Sequence, residues 1–483
     1  MNDFLLNLEP KKIWYYFREI LAIPRPSKKE EKIREYLIDF AKKHGLEHKT
    51  DATGNILITK NATKGYENKP IVVLQSHIDI VCEKNADKVF DFEKDGIEAE
   101  IKDGWLVAKG TTLGGDNGIG VAMELALLAS EDIEHGKIEC LFTVDEETGL
   151  TGAFGLEPGF FTGKILLNLD SEDDGQFFMG CAGGIDTTVK LKYAVEEISN
   201  DFVVYQLDVK GLKGGHSGDD INRGRENALK LLNRILHHGI EAFGLKISDF
   251  KGGNLRNAIP REASAIVAVP KQNAEYFEKF VEKFYAEVKN ELLSTEPDVV
   301  VQSAKCKVQN TVLTDKDALN LIRVISACPH GVVRMASDVP NFVETSTNLA
   351  SIKMTDGIIE IATSQRSSIE SRKYEIACQV ADVFQLAGAT VKHGDGYPGW
   401  KPNPSSPILK VAMDCYEKLF RKKGQALAIH AGLECGLFSE KYPGLDMVSY
   451  GPTMRGVHSP DECLEIKTVE KFWKLTLEIL KSL

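Results

Sequence analysis

Histidines and carboxylates stand in this chain where strand ends and tight loops could bring them to one point. They are His77 with Asp79 two residues on, Asp116 among glycines, the pair Glu146 and Glu147, Asp170, and His458. Imidazole and carboxylate donors in this mixture suit divalent cations, and together they look like a dinuclear zinc site. The first of them lies in Leu74-Gln75-Ser76-His77-Ile78-Asp79, directly behind the apolar run Ile71-Val72-Val73. That places His77 and Asp79 at the carboxyl end of a strand, where α/β sheets present their ligands. The spacing suits a metal ligand and a partner that orients it.

The elements needed to hold these residues are legible as a strand and helix alternation. Thr111-Thr112-Leu113-Gly114-Gly115-Asp116-Asn117-Gly118 precedes a helical run at 121–129. Glycines let the backbone close tightly around Asp116, and the helix turns its positive end toward it. Strands at 138–144 and 165–169 end in Asp145-Glu146-Glu147-Thr148-Gly149 and in Asp170-Ser171-Glu172-Asp173. This order predicts a mainly parallel sheet flanked by helices. Ahead of it lie a helix over 10–21, a capping box in Ser27-Lys28-Lys29-Glu30, and a second helix whose apolar face is Ile33, Tyr36, Leu37, Phe40 and Ala41.

From about residue 193 the pattern changes, after a break at Cys181-Ala182-Gly183-Gly184. Two successive α+β sets follow, with helices at 225–238, 273–293, 315–327 and 370–386. The turn-rich stretch 394–404 then carries the chain back. The expectation is a catalytic domain in two parts, 1–185 and 396–483, with an inserted, internally duplicated α+β lid at 186–395 that hangs over the site. The class is α/β.

Composition narrows the partners. With 59 basic and 71 acidic side chains the net charge is −12, which argues against a nucleic-acid groove or an anionic membrane surface. The N-terminus Met1-Asn2-Asp3-Phe4 has no basic segment followed by an apolar one, and no run approaches bilayer-spanning length. Nine scattered cysteines contain no CxxC pair and read as reduced thiols. The expected compartment is the cytoplasm.

Five blocks, Ser76-His77-Ile78-Asp79, Gly115-Asp116-Asn117-Gly118, Asp145-Glu146-Glu147-Thr148-Gly149, Asn168-Leu169-Asp170 and Gly456-Val457-His458, closely resemble the dinuclear zinc peptidases that include carnosinases, aminoacylases and several dipeptidases. They occur in that family's order along the chain. Lys213-Gly214-Gly215-His216-Ser217-Gly218, the stretch 252–260 and His430-Ala431-Gly432-Leu433-Glu434-Cys435-Gly436 look most like its bacterial aminoacyl-histidine dipeptidase branch.

The resemblance implies two divalent ions, zinc first with cobalt or manganese as alternatives. It assigns His77 and Asp170 to one ion and Glu147 and His458 to the other, with Asp116 as the bridge. It also implies a cis peptide between Asp116 and Asn117. Glu146 becomes the general base that moves a proton from the shared water to the leaving amine. Asp79 would hold the His77 tautomer. On the lid, His216 would stabilise the oxyanion, and Asn257 and Arg366 would bind the substrate carbonyl or carboxylate. Glu434 would meet a substrate amino group.

Taken singly, each residue also has an ordinary reading: His77 as a half-buried histidine, Asp116 as a helix cap, Glu146 and Glu147 as a solvated turn, Asp170 as a cap, His458 as a loop residue, Arg366 as one half of an ion pair. The ordered combination favours metal-dependent hydrolysis of small unblocked peptides, with Xaa-His dipeptides of the carnosine type among the expected substrates. An N-acyl-amino-acid deacylase and an inactive metal-binding scaffold are the competing expectations. A homodimer is left open.

Overall fold

The computed structural model describes residues 2–307 and 310–483. The chain divides into two compact units: Met1–Gly180 with Trp400–Ala428 and Leu433–Leu483, and Cys181–Gly399 with Ile429–Gly432.

Among the described residues of the first unit, the main sheet orders its strands Glu47–Thr50, Ile56–Lys60, Ile138–Thr143, Val72–His77, Ile165–Asn168, Asp446–Ser449, Gln176–Cys181 and Gln425–Ile429. Parallel pairing joins the four strands from Ile138–Thr143 to Asp446–Ser449, and antiparallel strands flank them. Val72, Val73 and Leu74 are buried on both faces, as a central parallel strand requires. Beyond them the buried positions turn polar. Gln75, Thr143, Asn168 and Ser449 lie at the carboxyl ends of adjacent strands. Gln75 links them: Asn168 Nδ2 donates to its Oε1 at 2.5 Å, and its Nε2 donates to Thr143 Oγ1 at 3.1 Å. This polar end of an apolar sheet is the floor on which the site is built.

The helix Lys11–Leu21 buries Trp14, Phe17, Ile20 and Leu21 and packs against the helix Gly115–Leu128. The expected capping box is not formed. The helix Glu31–Lys43 starts after Glu30 without a side-chain cap. Ser27 Oγ instead donates to Asp79 Oδ2 at 2.8 Å, and Glu30 Oε1 accepts from the amides of Lys28 and Asp145 at 2.8 and 3.0 Å. Both side chains are drawn to the strand ends, where a buried carboxylate and an orphan amide offer partners that the helix would otherwise supply.

The second unit is built on an antiparallel sheet, ordered Val300–Lys305, Phe202–Lys210, Ala263–Pro270, Lys246–Gly252, Val343–Thr355, Ile358–Ser367, Gly183–Lys192 and Thr390–His393. Its halves meet at one register pair, Gly252 with Ile352. Helices Ala228–Phe243, Ala274–Glu291 and Asp315–Ala327 pack with the first half, and Glu370–Leu386 with the second. Leu232, Phe250, Phe277, Ile361, Val380 and Phe384 belong to one buried core. The helix expected at 225–238 starts later because Asn227 caps it, accepting from Leu229 N and Lys230 N.

The strand Gly183–Lys192 lies where the sequence suggested only a break. A Cβ on Gly183 would stand 2.4 Å from Gly399 N. Glycine there serves a close approach of two backbones rather than a turn.

Candidate active site

The ends of the parallel strands deliver the histidine and carboxylates of the first unit to one place. His77 closes its strand with the side chain 1% exposed. Asp170 stands two residues beyond Ile165–Asn168. After Ile138–Thr143 the chain reverses at Asp145, whose φ of 48° is left-handed, and enters the short turn Glu146–Gly149. This conformation lets Glu146 and Glu147 reach the same side, which an extended chain would forbid. His458, also left-handed at φ 62°, lies between the short strands Met454–Arg455 and Cys463–Glu465. The peptide between Asp116 and Asn117 is cis.

Asp116 faces two ways. Its Oδ1 lies 3.1 Å from His77 Nε2, and its Oδ2 lies 3.2 Å from His458 Nε2. Asp170 Oδ1 is 3.5 Å from the same His77 nitrogen, while Glu147 Oε2 is 3.0 Å from the His458 nitrogen. Donor atoms of His77, Asp116 and Asp170 lie within 4.8 Å of one another, as do those of Asp116, Glu147 and His458, and those of His77, Glu146 and Glu147. Two clusters therefore share one carboxylate.

The electrostatics are those of a cation site. Burial raises Glu146 well above the usual carboxylate range, and Asp170, Glu147 and Glu434 add to it against the opposing pull of His77. Glu147 and Asp170 are also raised, chiefly by burial. Burial would lower His77, but the charge of Asp170 and the contact with Asp116 reverse this and raise it well above its ordinary value. Hydrogen bonds with Asp116 and Glu147 push His458 up to about 11. Four carboxylates thus face two imidazoles, and Glu147 Oε1 is buried without a hydrogen-bond partner. An orphaned buried oxygen within a set of hard nitrogen and oxygen donors fits divalent cations.

The surrounding shell holds the donors in place. Asp79 Oδ1 lies 3.3 Å from His77 Nδ1 and accepts from Glu146 N at 3.0 Å, while Oδ2 accepts from Glu147 N at 3.2 Å and from Ser27 Oγ. One buried carboxylate thus stands beside a histidine ring and pins the turn that carries two glutamates. Asn117 Nδ2 donates to Asp170 Oδ1 at 2.6 Å and to Leu169 O at 2.9 Å. Glu434 is 1% exposed, and its Oε2 accepts from Gln75 Nε2 at 2.6 Å and Thr143 Oγ1 at 2.8 Å. Burial pushes it up to about 8, and its Oε1 has no partner.

Sequence reasoning did not find Ser27 or Asn117 as members of this shell, nor Glu30, whose Oε1 accepts from Asp145 N. Asn117 lies inside a block already singled out, and its place beside Asp116 was the signal available for it. Ser27 and Glu30 matched a helix-start pattern that concealed their use.

His216, Asn257 and Arg366 belong to the second unit. His216 pairs in a two-residue strand with Ala258, and its Nδ1 lies 3.2 Å from both Asp219 N and Asp219 Oδ2. Arg366 is 7% exposed; Nη1 donates to Tyr397 Oη at 2.9 Å, and Nη2 lies 3.5 Å from His216 Nε2. Its charge acts on Asp219, and its Nε is buried without a hydrogen-bond partner. Asn257 is exposed, and its carbonyl accepts from Ser217 N at 2.8 Å. His216 and Asn257 both line a cavity of about 580 Å³ in this unit, with Leu255 and Arg261 among its walls.

The model of peptidase family M20/M25/M40 matches residues 73–482. The cytosol non-specific dipeptidase of Escherichia coli is 44% identical over 479 residues, which cover 99% of each chain. The crystal structure of aminoacylhistidine dipeptidase from Vibrio alginolyticus, at 44% identity, superposes with a TM-score of 0.93 over 100% of this chain and 99% of that one. Aminopeptidase PepT from Bacillus cereus shares the fold at 17% identity, with a TM-score of 0.58 over 98% of both chains.

Proposed function

The chain belongs to peptidase family M20/M25/M40, and on that premise we propose that it is a metal-dependent dipeptidase whose cations are held by His77, Asp116 and Asp170 on one side and by Asp116, Glu147 and His458 on the other. The observation that carries this reading is the division of Asp116, one carboxylate oxygen facing each imidazole. Zinc is the metal best suited to this donor set, with cobalt and manganese as substitutes. Bound there, the cations would polarise the scissile carbonyl and acidify water for attack.

The chain's own groups do the remaining work. Glu146 accepts the proton of the attacking water and passes it to the leaving amine, a transfer favoured by a carboxyl whose proton affinity burial has raised. Asp79 keeps the His77 ring in the orientation that turns Nε2 toward Asp116. Glu434 receives the free amino group of the substrate, supported by its buried oxygen without a partner. Arg366 receives the terminal carboxylate, supported by its buried Nε without a hydrogen-bond partner and by a planar fork that matches a carboxylate. Asn257 contacts the substrate carbonyl, and His216 donates to the oxyanion within the same chain.

Small peptides with both ends free are the substrates, Xaa-His dipeptides among them. The name of the Escherichia coli relative supports a cytosolic location. Among the described residues no helix is long and apolar enough to cross a membrane. The metal-stripped chain should be reloaded separately with zinc, cobalt and manganese and assayed on dipeptides, β-alanyl-histidine and N-acetyl amino acids. Dipeptide turnover restored by metal is expected. Hydrolysis of N-acetyl amino acids alone would overturn the reading in favour of a deacylase, and no hydrolysis with both cations bound would leave a scaffold.

A further inference from the structure

Two buried charged residues outside the ligand set hold the loop that carries Asp116. Glu462 is 2% exposed and lies four residues after His458. Its Oε2 accepts from the amides of Leu113 and Gly114 at 2.7 and 3.0 Å, and its Oε1 from those of Gly115 and Asp116 at 2.7 and 3.2 Å. Four successive N–H groups thus converge on one carboxylate. On the other side stands Arg25, 1% exposed. Its Nη2 donates to Gly114 O at 2.6 Å, and its Nη1 donates to Ile78 O and Asp79 O, each at 3.0 Å. Gly114 is gripped at its amide by Glu462 and at its carbonyl by Arg25. With φ at 67° and a would-be Cβ only 2.8 Å from Arg25 Nη2, the position leaves no room for a side chain.

We propose that Arg25 and Glu462 are positioning residues that clamp the 113–116 peptide between them and so set the carboxylate of Asp116 between the two cation sites. The connectivity gives the clamp its purpose. Arg25 joins the loop after His77 to the loop of Asp116, and Glu462 joins that loop to the turn bearing His458. Ligands drawn from three distant parts of the chain are thereby tied through one peptide segment, by charged hydrogen bonds that stay strong because water is excluded. A local helix start cannot do this, because Asp116 and Asn117 lie outside helical geometry. The orphan amides there need an acceptor from elsewhere.

The inference rests on the reading of Asp116 as a shared ligand, and one titration separates the two. Zinc binding to the metal-stripped full chain is measured by calorimetry for wild type, Glu462→Gln, Arg25→Lys and the double variant, with urea unfolding of each metal-free chain. Glutamine places an NH₂ against two amide donors, and lysine keeps the charge of Arg25 but loses its fork. The expected result is two ions in wild type and a loss of affinity of about 10–100-fold in each single variant, as is usual when groups behind metal ligands are altered. The double variant should lose little more than the worse single one, since both act on the same peptide. Metal-free unfolding midpoints should fall, since buried amides lose their acceptor, but each metal-free chain should keep a single cooperative unfolding transition.

Wild-type affinity in both single variants, or additive losses in the double, would overturn the clamp while leaving the metal reading intact. Collapse of the metal-free fold in both variants would overturn it as well, by assigning the pair to the fold. Failure of the wild type to bind two ions would instead overturn the reading of Asp116 on which the clamp depends.

Discussion

Ser27 Oγ donates a 2.8 Å hydrogen bond to Asp79 Oδ2, so a residue spelled like a helix cap supports the carboxylate behind His77. Ser27→Ala should remove one donor from a buried anion. Metal-free stability should fall by about 2 kcal/mol, as for hydrogen bonds to charged groups, and zinc affinity by about tenfold through the loosened His77. Urea unfolding and calorimetry measure the two effects, and unchanged zinc affinity would show that Asp79 holds the ring without Ser27.

Glu146 and Glu147 are neighbours with different expected failures. Glu146→Gln should keep both cations and lose about 10²–10⁴-fold in turnover. Glu147→Gln should lose one cation, because its Oε2 lies in the cluster with His458. Metal content and kcat of the reloaded proteins decide; near-normal turnover in Glu146→Gln would remove it as the base.

His216→Ala should leave metal content and fold unchanged while turnover drops by about a hundredfold or more, the usual cost of a lost oxyanion donor. Mixing this variant with Glu146→Gln should restore no activity if His216 serves its own chain. Recovery on mixing would place the histidine across a dimer.

Arg366→Met and Glu434→Gln should raise KM for dipeptides with free ends more than they lower kcat. The first should erase the preference for a free carboxyl terminus over its amide, and the second the preference for a free amine over its acetylated form. Equal losses on blocked and unblocked substrates would detach both residues from substrate recognition.

His430 and His330 set an acid limit on stability. Burial, aided by Arg366, pulls His430 down to about 3, and burial with Lys230 pulls His330 down to about 4. Both are neutral when folded, whereas the unfolded chain takes up protons near the ordinary value of 6.5. The unfolded state therefore binds more protons below that pH, and stability follows the sign of that difference. Their contribution is whole above about pH 6.5 and is lost as the pH falls toward the folded values. In metal-free protein, replacing both by glutamine should flatten the fall of the urea midpoint over this window. An equally steep fall in the double variant would assign the acid sensitivity elsewhere.

Local pattern determined the fold class of this protein, and the ordered blocks carried its resemblance to a peptidase family. Continuous apolar runs ending in His77, in Asp145 to Glu147 and in Asp170 announce buried parallel strands with polar carboxyl ends, because strand burial and strand end are written in neighbouring residues. The helices Asp315–Ala327 and Glu370–Leu386 were readable to their termini for the same reason. The strand Gly183–Lys192 was hidden because its glycines answer to Tyr397 and Gly399, far along the chain. Tertiary structure alone decided that the two oxygens of Asp116 face different imidazoles, that Ser27 and Glu30 leave their helix for the strand ends, and that Glu462 receives the amides of a loop 346 to 349 positions earlier. These are choices among partners for buried polar groups, and which partner is nearest is settled only when distant segments have packed.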